Sequence, residues 1–108
     1  MGYWRMIVVA GTVEVPPEHH AAFADAALRV TGATRSEPGC ISYAFWADVT
    51  EPGRFLVFEE WETEPDVDAH MSAAHFLEFR AFMSDVGATR NINRYTVAGV
   101  RPNNPPGQ

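Results

Sequence analysis

The sequence predicts an α+β fold in which helices pack on one four-stranded antiparallel sheet. Four segments are rich in β-branched and aromatic residues, two others repeat apolar residues at helical spacing, and turn or breaker residues separate them. Together these segments give the order β-α-β-β-α-β. A chain of 108 residues has room for one domain, which we place at residues 1–101, followed by a flexible C-terminal tail at 102–108.

The first strand is predicted at residues 3–15, YWRMIVVAGTVEV, and ends at Pro16-Pro17. A helix is expected next, because proline is tolerated in a first helical turn and an acidic residue such as Glu18 suits the positive end of a helix. Its apolar face continues until Glu37-Pro38-Gly39 interrupts the pattern. The residues of that face recur at helical spacing: Phe23, Ala27, Val30 and Thr34.

A hairpin follows, with strands at residues 40–47 and 54–62 and the turn residues Pro52-Gly53 between them. Bulky apolar residues occupy both faces of this hairpin, whereas the helices can cover only one. In the first hairpin strand, alternation places Ile41, Tyr43 and Phe45 on one side and Trp46 on the other. In the second, it places Phe55, Val57, Glu59 and Trp61 on one side and Leu56 and Phe58 on the other. Because a large exposed apolar face is rare on a soluble monomer, we expect a homodimer in which two sheets pack against each other.

The second helical region is predicted to begin at Thr63, with Asp66 completing a capping box. Ser72 is predicted to cap a second helical segment that ends at Gly87. A last strand at residues 91–100 completes the order of elements. The arrangement is the ferredoxin-like one, with both helices on a single face of the sheet.

Charge and composition argue against several classes of protein. The formal net charge is −6, and the eight basic residues are arginines spread singly along the chain, so nucleic-acid binding is not expected. No stretch approaches the ~20 apolar residues of a membrane span. The lone Cys40 allows no intrachain disulfide and favours a reducing compartment, so we expect a cytoplasmic protein.

Two stretches, EPGCISYAFW at 37–46 and RFLVFEEWETEPDVDAHMSAAHF at 54–76, resemble the antibiotic biosynthesis monooxygenase family. The resemblance extends from about Met6 to Val100. Its most specific part is Glu60-Trp61-Glu62 followed by Ala69-His70 and His75-Phe76. The resemblance implies a ferredoxin-like domain that pairs into a dimeric α+β barrel.

Members of this family include cofactor-free monooxygenases of quinols and aromatic polyketides, haem-degrading enzymes and an isomerase. The haem degraders carry an asparagine in the first strand and a histidine ligand in the later helix, where this chain has Gly11 and Phe79. The quinol-monooxygenase branch is more similar, because its Ala-His followed five residues later by His is matched here by Ala69, His70 and His75. The resemblance therefore implies no haem.

His70 and His75 are the main catalytic candidates. In a continuous helix, five positions correspond to about 140°, so the two rings would not share a face and a metal site is not expected. A break at Ser72 would change this geometry, but the third ligand would then have to be a carboxylate such as Glu59 or Glu60. With an ordinary pKa near 6.5, His70 suits a general base. We expect His75 to organise the junction of the helical segments, although a catalytic role remains open.

The substrate-binding candidates are Tyr43, Trp46, Phe58, Glu59, Trp61 and Arg94. Tyr43 can hydrogen-bond a substrate oxygen, and the aromatic residues can line a slot for a flat molecule, although core or dimer packing explains them equally well. Glu59, if buried, needs a partner such as Arg94.

The function hypothesis is a cofactor-independent monooxygenase that oxidises a quinol or hydroxylated aromatic with dioxygen. No Gly-x-Gly-x-x-Gly motif for a nucleotide cofactor occurs. Two alternatives are an isomerase or other acid-base enzyme acting on a small carbonyl compound, and a non-catalytic protein that binds a small aromatic ligand.

Overall fold

The structure is a computed structural model that describes residues 5–107, so the start of the predicted first strand, at Tyr3 and Trp4, lies outside the described residues. Eight elements follow along the chain: β1 (Ile7–Glu14), a 3-10 turn (Pro17–His19), α1 (His20–Thr34), β2 (Cys40–Ala47), β3 (Arg54–Trp61), α2 (Glu64–Ser72), α3 (Ala74–Asp85) and β4 (Thr89–Thr96).

The four strands form one antiparallel sheet in the order β2-β3-β1-β4. This order and the positions of the helices confirm the predicted α+β, ferredoxin-like fold. The core lies between one face of the sheet and the helices. Its buried apolar side chains include Ile7, Val13, Phe23, Val30, Val57, Trp61, Val67, Phe79 and Met83.

The hairpin has the predicted β2 bounds and ends one residue earlier than predicted in β3. Gly53 adopts a left-handed backbone with φ of 82°, which glycine permits at no steric cost. Ile41 was expected on the face of Tyr43, but a β-bulge between Cys40 and Ser42 reverses its direction. Ile41 is therefore exposed, and Cys40 packs against the core instead.

The cap of α2 is confirmed, because the Thr63 hydroxyl oxygen accepts a hydrogen bond from the backbone N–H of Asp66. The predicted cap at Ser72 is wrong. Ser72 is the last residue of α2, and its hydroxyl donates to the carbonyl of Asp68. The helix axis breaks at Ala73, whose extended backbone ends α2 and begins α3 without a side-chain cap.

Strand β4 begins at Thr89 and ends at Thr96, both earlier than the predicted 91–100. It lies at the edge of the sheet beside β1 and approaches it closely at Gly11. A β-carbon on Gly11 would lie 2.6 Å from the α-carbon of Ile92, so only glycine allows this contact. Within the described residues, no helix is long and apolar enough to cross a membrane.

The sheet face opposite the helices is rich in exposed apolar side chains. Trp46 is 60% exposed, Leu56 42%, Phe58 37% and Tyr95 51%. The predicted excess of apolar surface is therefore present on the single chain.

Candidate active site

A cavity of about 440 Å³ lies between the helix-covered face of the sheet and helices α2 and α3. Four of the predicted site residues line it, namely Tyr43, Glu59, His70 and Arg94. Most of the remaining wall is apolar. A mainly apolar pocket of this size, with several polar groups that can orient a ligand, suits a small aromatic molecule.

The strand register explains why three of these residues come together. Tyr43 of β2 pairs with Glu59 of β3, and Glu59 pairs with Val9 of β1, which in turn pairs with Arg94 of β4. The four residues form one row across the sheet. His70 lies above this row from α2, with its ring centroid 5.5 Å from that of Tyr43.

The two histidines meet at a single carboxylate. His70 Nδ1 lies 2.8 Å from Glu37 Oε2, and His75 Nε2 lies 2.6 Å from the same oxygen. A carboxylate accepts hydrogen bonds, so Nδ1 of His70 and Nε2 of His75 carry the hydrogens. The break at Ala73 is what turns His75 back toward His70.

His70 is held in a defined orientation and tautomer. Its side chain is 2% exposed and packs against Trp61 and Phe76, with ring centroids 5.0 and 4.9 Å away. With Nδ1 occupied by Glu37, the other ring nitrogen, Nε2, is buried without a hydrogen-bond partner among residues 5–107. Burial lowers the pKa of His70 below its usual value, while Glu37 opposes this shift. The ring is therefore neutral at pH 7, with a free lone pair on Nε2.

Glu59 is a second buried proton-carrying group in the cavity. Trp61 Nε1–H donates a 2.9 Å hydrogen bond to Glu59 Oε1. Burial raises the pKa of Glu59 to about 7, and the Trp61 hydrogen bond moderates this increase. Trp61 itself is fully buried and does not line the cavity, so its contact with the cavity is through Glu59.

Tyr43 is buried, and burial together with nearby Glu59 raises the pKa of its phenol well above the usual value. The phenol therefore stays protonated, and the buried Thr34 side chain lies close enough to it to oppose part of this shift.

Arg94 does not pair with Glu59, which corrects the expected ion pair. Its Nη1 donates to Glu64 at 2.6 Å and to Asp68 at 3.0 Å, both on α2. The arginine therefore ties β4 to α2 at one wall of the cavity.

Trp46 and Phe58 lie on the opposite face of the sheet and do not line this cavity. Strand alternation had already placed them away from Tyr43 and Glu59. His75 is also absent from the cavity wall, and its side chain is 30% exposed.

Sequence reasoning missed Glu37. Glu37-Pro38-Gly39 was interpreted only as the end of a helix, and no local pattern links Glu37 to the two histidines. Glu37, His70 and His75 offer three ligand atoms within 4.8 Å of one another, a donor set that can hold a divalent ion. The prediction that no metal site forms rested on the spacing of the two histidines and did not consider Glu37 as a third ligand.

Comparison with known proteins agrees with the fold. The sequence model of the antibiotic biosynthesis monooxygenase family matches residues 6–81. A candidate antibiotic biosynthesis monooxygenase from Deinococcus radiodurans is 26% identical, with a TM-score of 0.83 over 90% of this chain and 96% of that one. A conserved Methanosarcina mazei protein is 28% identical, with a TM-score of 0.79 over 85% of this chain and 92% of that one.

An uncharacterised protein of Synechocystis is 42% identical over 73 residues, which is 68% of this chain. The match spans about half the length of that relative. Since the family match covers most of the chain, from β1 into α3, the chain belongs to the antibiotic biosynthesis monooxygenase family.

Proposed function

We propose that the protein is a cofactor-independent monooxygenase of the quinol-oxidising type, which uses dioxygen to oxidise a quinol or another hydroxylated aromatic. The observation that carries this proposal is His70 Nε2, a buried and unpartnered proton acceptor on a cavity-lining ring. Family membership and the similarity to a candidate monooxygenase support an oxidoreductase role.

In the first step, His70 Nε2 accepts the proton of a substrate hydroxyl. Burial keeps the ring neutral and ready to accept, and the carboxylate of Glu37 stabilises the imidazolium that forms. The Tyr43 hydroxyl can donate a hydrogen bond to a second substrate oxygen. Glu37 acts as a positioning residue, because it fixes the ring and its tautomer without touching the substrate.

The resulting anion is electron-rich and supplies the electrons for dioxygen. A ring carbon bonds to one oxygen atom to give a hydroperoxide. The O–O bond then breaks as this carbon loses its hydrogen, so one oxygen becomes a quinone carbonyl and the other leaves as water. The apolar walls exclude water that would divert the intermediate.

Oxygen uptake with a panel of hydroquinones and polyphenols tests this proposal. We expect substrate-dependent uptake, with one atom of labelled dioxygen in each quinone. His70→Asn should lower the rate by about 100-fold or more, since the asparagine amide retains the hydrogen bond to Glu37 but removes the Nε2 acceptor. His19→Asn, at the surface, is the matched control.

Unchanged uptake by a folded His70→Asn protein would refute His70 as the base. Conversion of a substrate without oxygen uptake would indicate an acid-base enzyme such as an isomerase, and tight binding without conversion would indicate a ligand-binding protein.

The second part of the proposal is a homodimer formed through the exposed sheet face. That face carries Trp46, Leu56 and Phe58, and such a surface is rarely left uncovered. We expect sedimentation equilibrium to give twice the mass of one chain. Trp46→Glu should produce a monomer, whereas Leu28→Glu, on the exposed side of α1, should not; a wild-type monomer at micromolar concentration would refute the dimer.

A further inference from the structure

We propose that the cavity takes a substrate with an anionic substituent, and that Arg80 of α3 and Arg90 of β4 bind this substituent. The inference rests on the proposed function and deepens it, because it specifies the class of hydroxylated aromatic. Both arginines line the cavity, and they also line a neighbouring depression of about 590 Å³. They therefore lie between the two spaces.

Neither Arg80 nor Arg90 has an ion-pair partner within residues 5–107, in contrast to Arg94, which shares strand β4 with Arg90. Arg94 is neutralised by Glu64 and Asp68, whereas the charges of Arg80 and Arg90 remain available. An arginine offers a planar fork of donors that matches a carboxylate. Two unpaired arginines on one cavity in a chain of net charge −6 favour an acidic ligand.

The register places Arg90 on the cavity side of its strand. It pairs with Val13 of β1, which is 1% exposed and points into the core. Alternation then puts Arg90, Ile92 and Arg94 on the same side of β4. Arg90 is exposed on this edge strand, so its guanidinium stays in contact with water while it lines the cavity.

The two polar ends of the cavity are separated along the strands. Glu59 is level with Val9, and Arg90 is level with Val13, four residues further along β1. At about 3.3 Å per residue, the two levels are roughly 13 Å apart. The arginine side chain extends over part of this distance. The part that remains for a ligand is close to the length of a fused two-ring aromatic. A ligand of this size can place a hydroxyl near His70 and an anionic group near Arg90, away from the Glu59 carboxyl.

The test compares a matched pair of probes, 5,8-dihydroxy-2-naphthoate and 1,4-dihydroxynaphthalene, which differ by one carboxylate on the ring that carries no hydroxyl. Calorimetry without oxygen measures binding alone. We expect the carboxylated probe to bind more tightly and its affinity to fall with added salt. Arg80→Gln combined with Arg90→Gln should weaken binding of that probe by roughly 10- to 100-fold and leave the neutral probe unchanged. Arg29→Gln, an exposed arginine of α1 that lines neither space, is the control.

Equal binding of the two probes by the wild type would overturn the inference. It would also be overturned if the double variant bound both probes like the wild type. Larger assemblies of such a variant would indicate that the arginines instead protect the edge strand from pairing with other chains. Oxygen uptake in air separates the two proposals. Preferred binding of the carboxylated probe without uptake would refute only the proposed function, and uptake with no preference between probes would refute only the anionic substituent.

Discussion

Replacing Glu59 with glutamine should stabilise the protein at alkaline pH and leave its stability at acidic pH nearly unchanged. Glu59 is 6% exposed, and Trp61 Nε1–H donates to its Oε1. Glutamine has a similar shape, and its side-chain carbonyl can accept the same hydrogen bond. The substitution therefore removes a buried ionisable group while the packing is retained.

The magnitude follows from the pKa of this carboxyl, which burial raises from 4.5 to about 7. The folded protein holds the proton more tightly than the unfolded chain does. The stability that this proton contributes is fully present below pH 4.5 and is lost as the pH rises through about 7. At about 1.36 kcal/mol per pH unit, this interval corresponds to roughly 3 kcal/mol as an upper limit.

Urea unfolding at a series of pH values between about 5 and about 8, at one protein concentration, measures the effect. The wild type should lose stability relative to Glu59→Gln across this range, so that the variant is more stable by up to about 3 kcal/mol at the alkaline end. Glu60→Gln is the matched control, because Glu60 is the next residue on β3, points to the opposite face and accepts a hydrogen bond from Ser42.

Two stability curves that stay parallel from acid to alkaline pH would refute the reasoning. The titration of His70 is common to both proteins, so the difference between the curves isolates the carboxyl. A variant that is less stable at every pH would instead indicate that the amide breaks the Trp61 hydrogen bond.

Four other changes test separate parts of the structure. Ala73→Ser supplies the side-chain cap that α3 lacks and should raise the free energy of unfolding by about 1 kcal/mol in a urea titration. Gly11→Ala should lower the free energy of unfolding by about 2 kcal/mol or more, since the added methyl would meet the backbone of β4. Gly32→Ala is the control and should not destabilise, because no atom lies within 4 Å of the added methyl. His75→Gln preserves a donor for Glu37 and should retain more oxygen uptake than His75→Ala; equal rates would deny His75 any role in orienting Glu37. Dialysis against a chelator should leave oxygen uptake unchanged, and a loss restored by a divalent ion would instead reassign Glu37, His70 and His75 as metal ligands.

The hairpin could be predicted closely because its signals are local. The turn residues Pro52-Gly53 and the alternation of Arg54–Trp61 lie within a few positions of one another. The direction of Ile41 was predicted wrongly because a bulge depends on how two strands pair, and the sequence of one strand alone does not reveal it. Ser72 was misassigned for a related reason: the same hydroxyl can cap a following helix or donate back to the preceding one.

The candidate site was harder to predict than the fold. His70 was found because of its residue type and the family resemblance, but its partner Glu37 lies 33 residues earlier in the chain. No spacing rule connects the two, since the contact depends on how α2 lies against the turn between α1 and β2, where Asp66 comes close to Gly39. The direction of Glu59 was available from alternation. The hydrogen-bond partner of Glu59 could not be predicted, because alternation allows either Trp61 or Arg94 to reach its carboxyl. The structure distinguishes the two, since Trp61 donates to Glu59 whereas Arg94 pairs with α2.

The opposite pKa shifts of His70 and Glu59 have a common cause and a joint consequence. Burial disfavours the charged form of each group, so it lowers the pKa of the histidine and raises that of the carboxyl. Near neutral pH, the histidine is uncharged and the carboxyl is partly protonated, and the inner end of the cavity carries little net charge. A substrate that loses its proton to His70 therefore creates a pair of opposite charges at this end of the cavity, the substrate anion and the imidazolium. Glu37, on the far side of the ring, stabilises the imidazolium. The same burial that prevents His70 from ionising alone thus favours ionisation together with a bound anion.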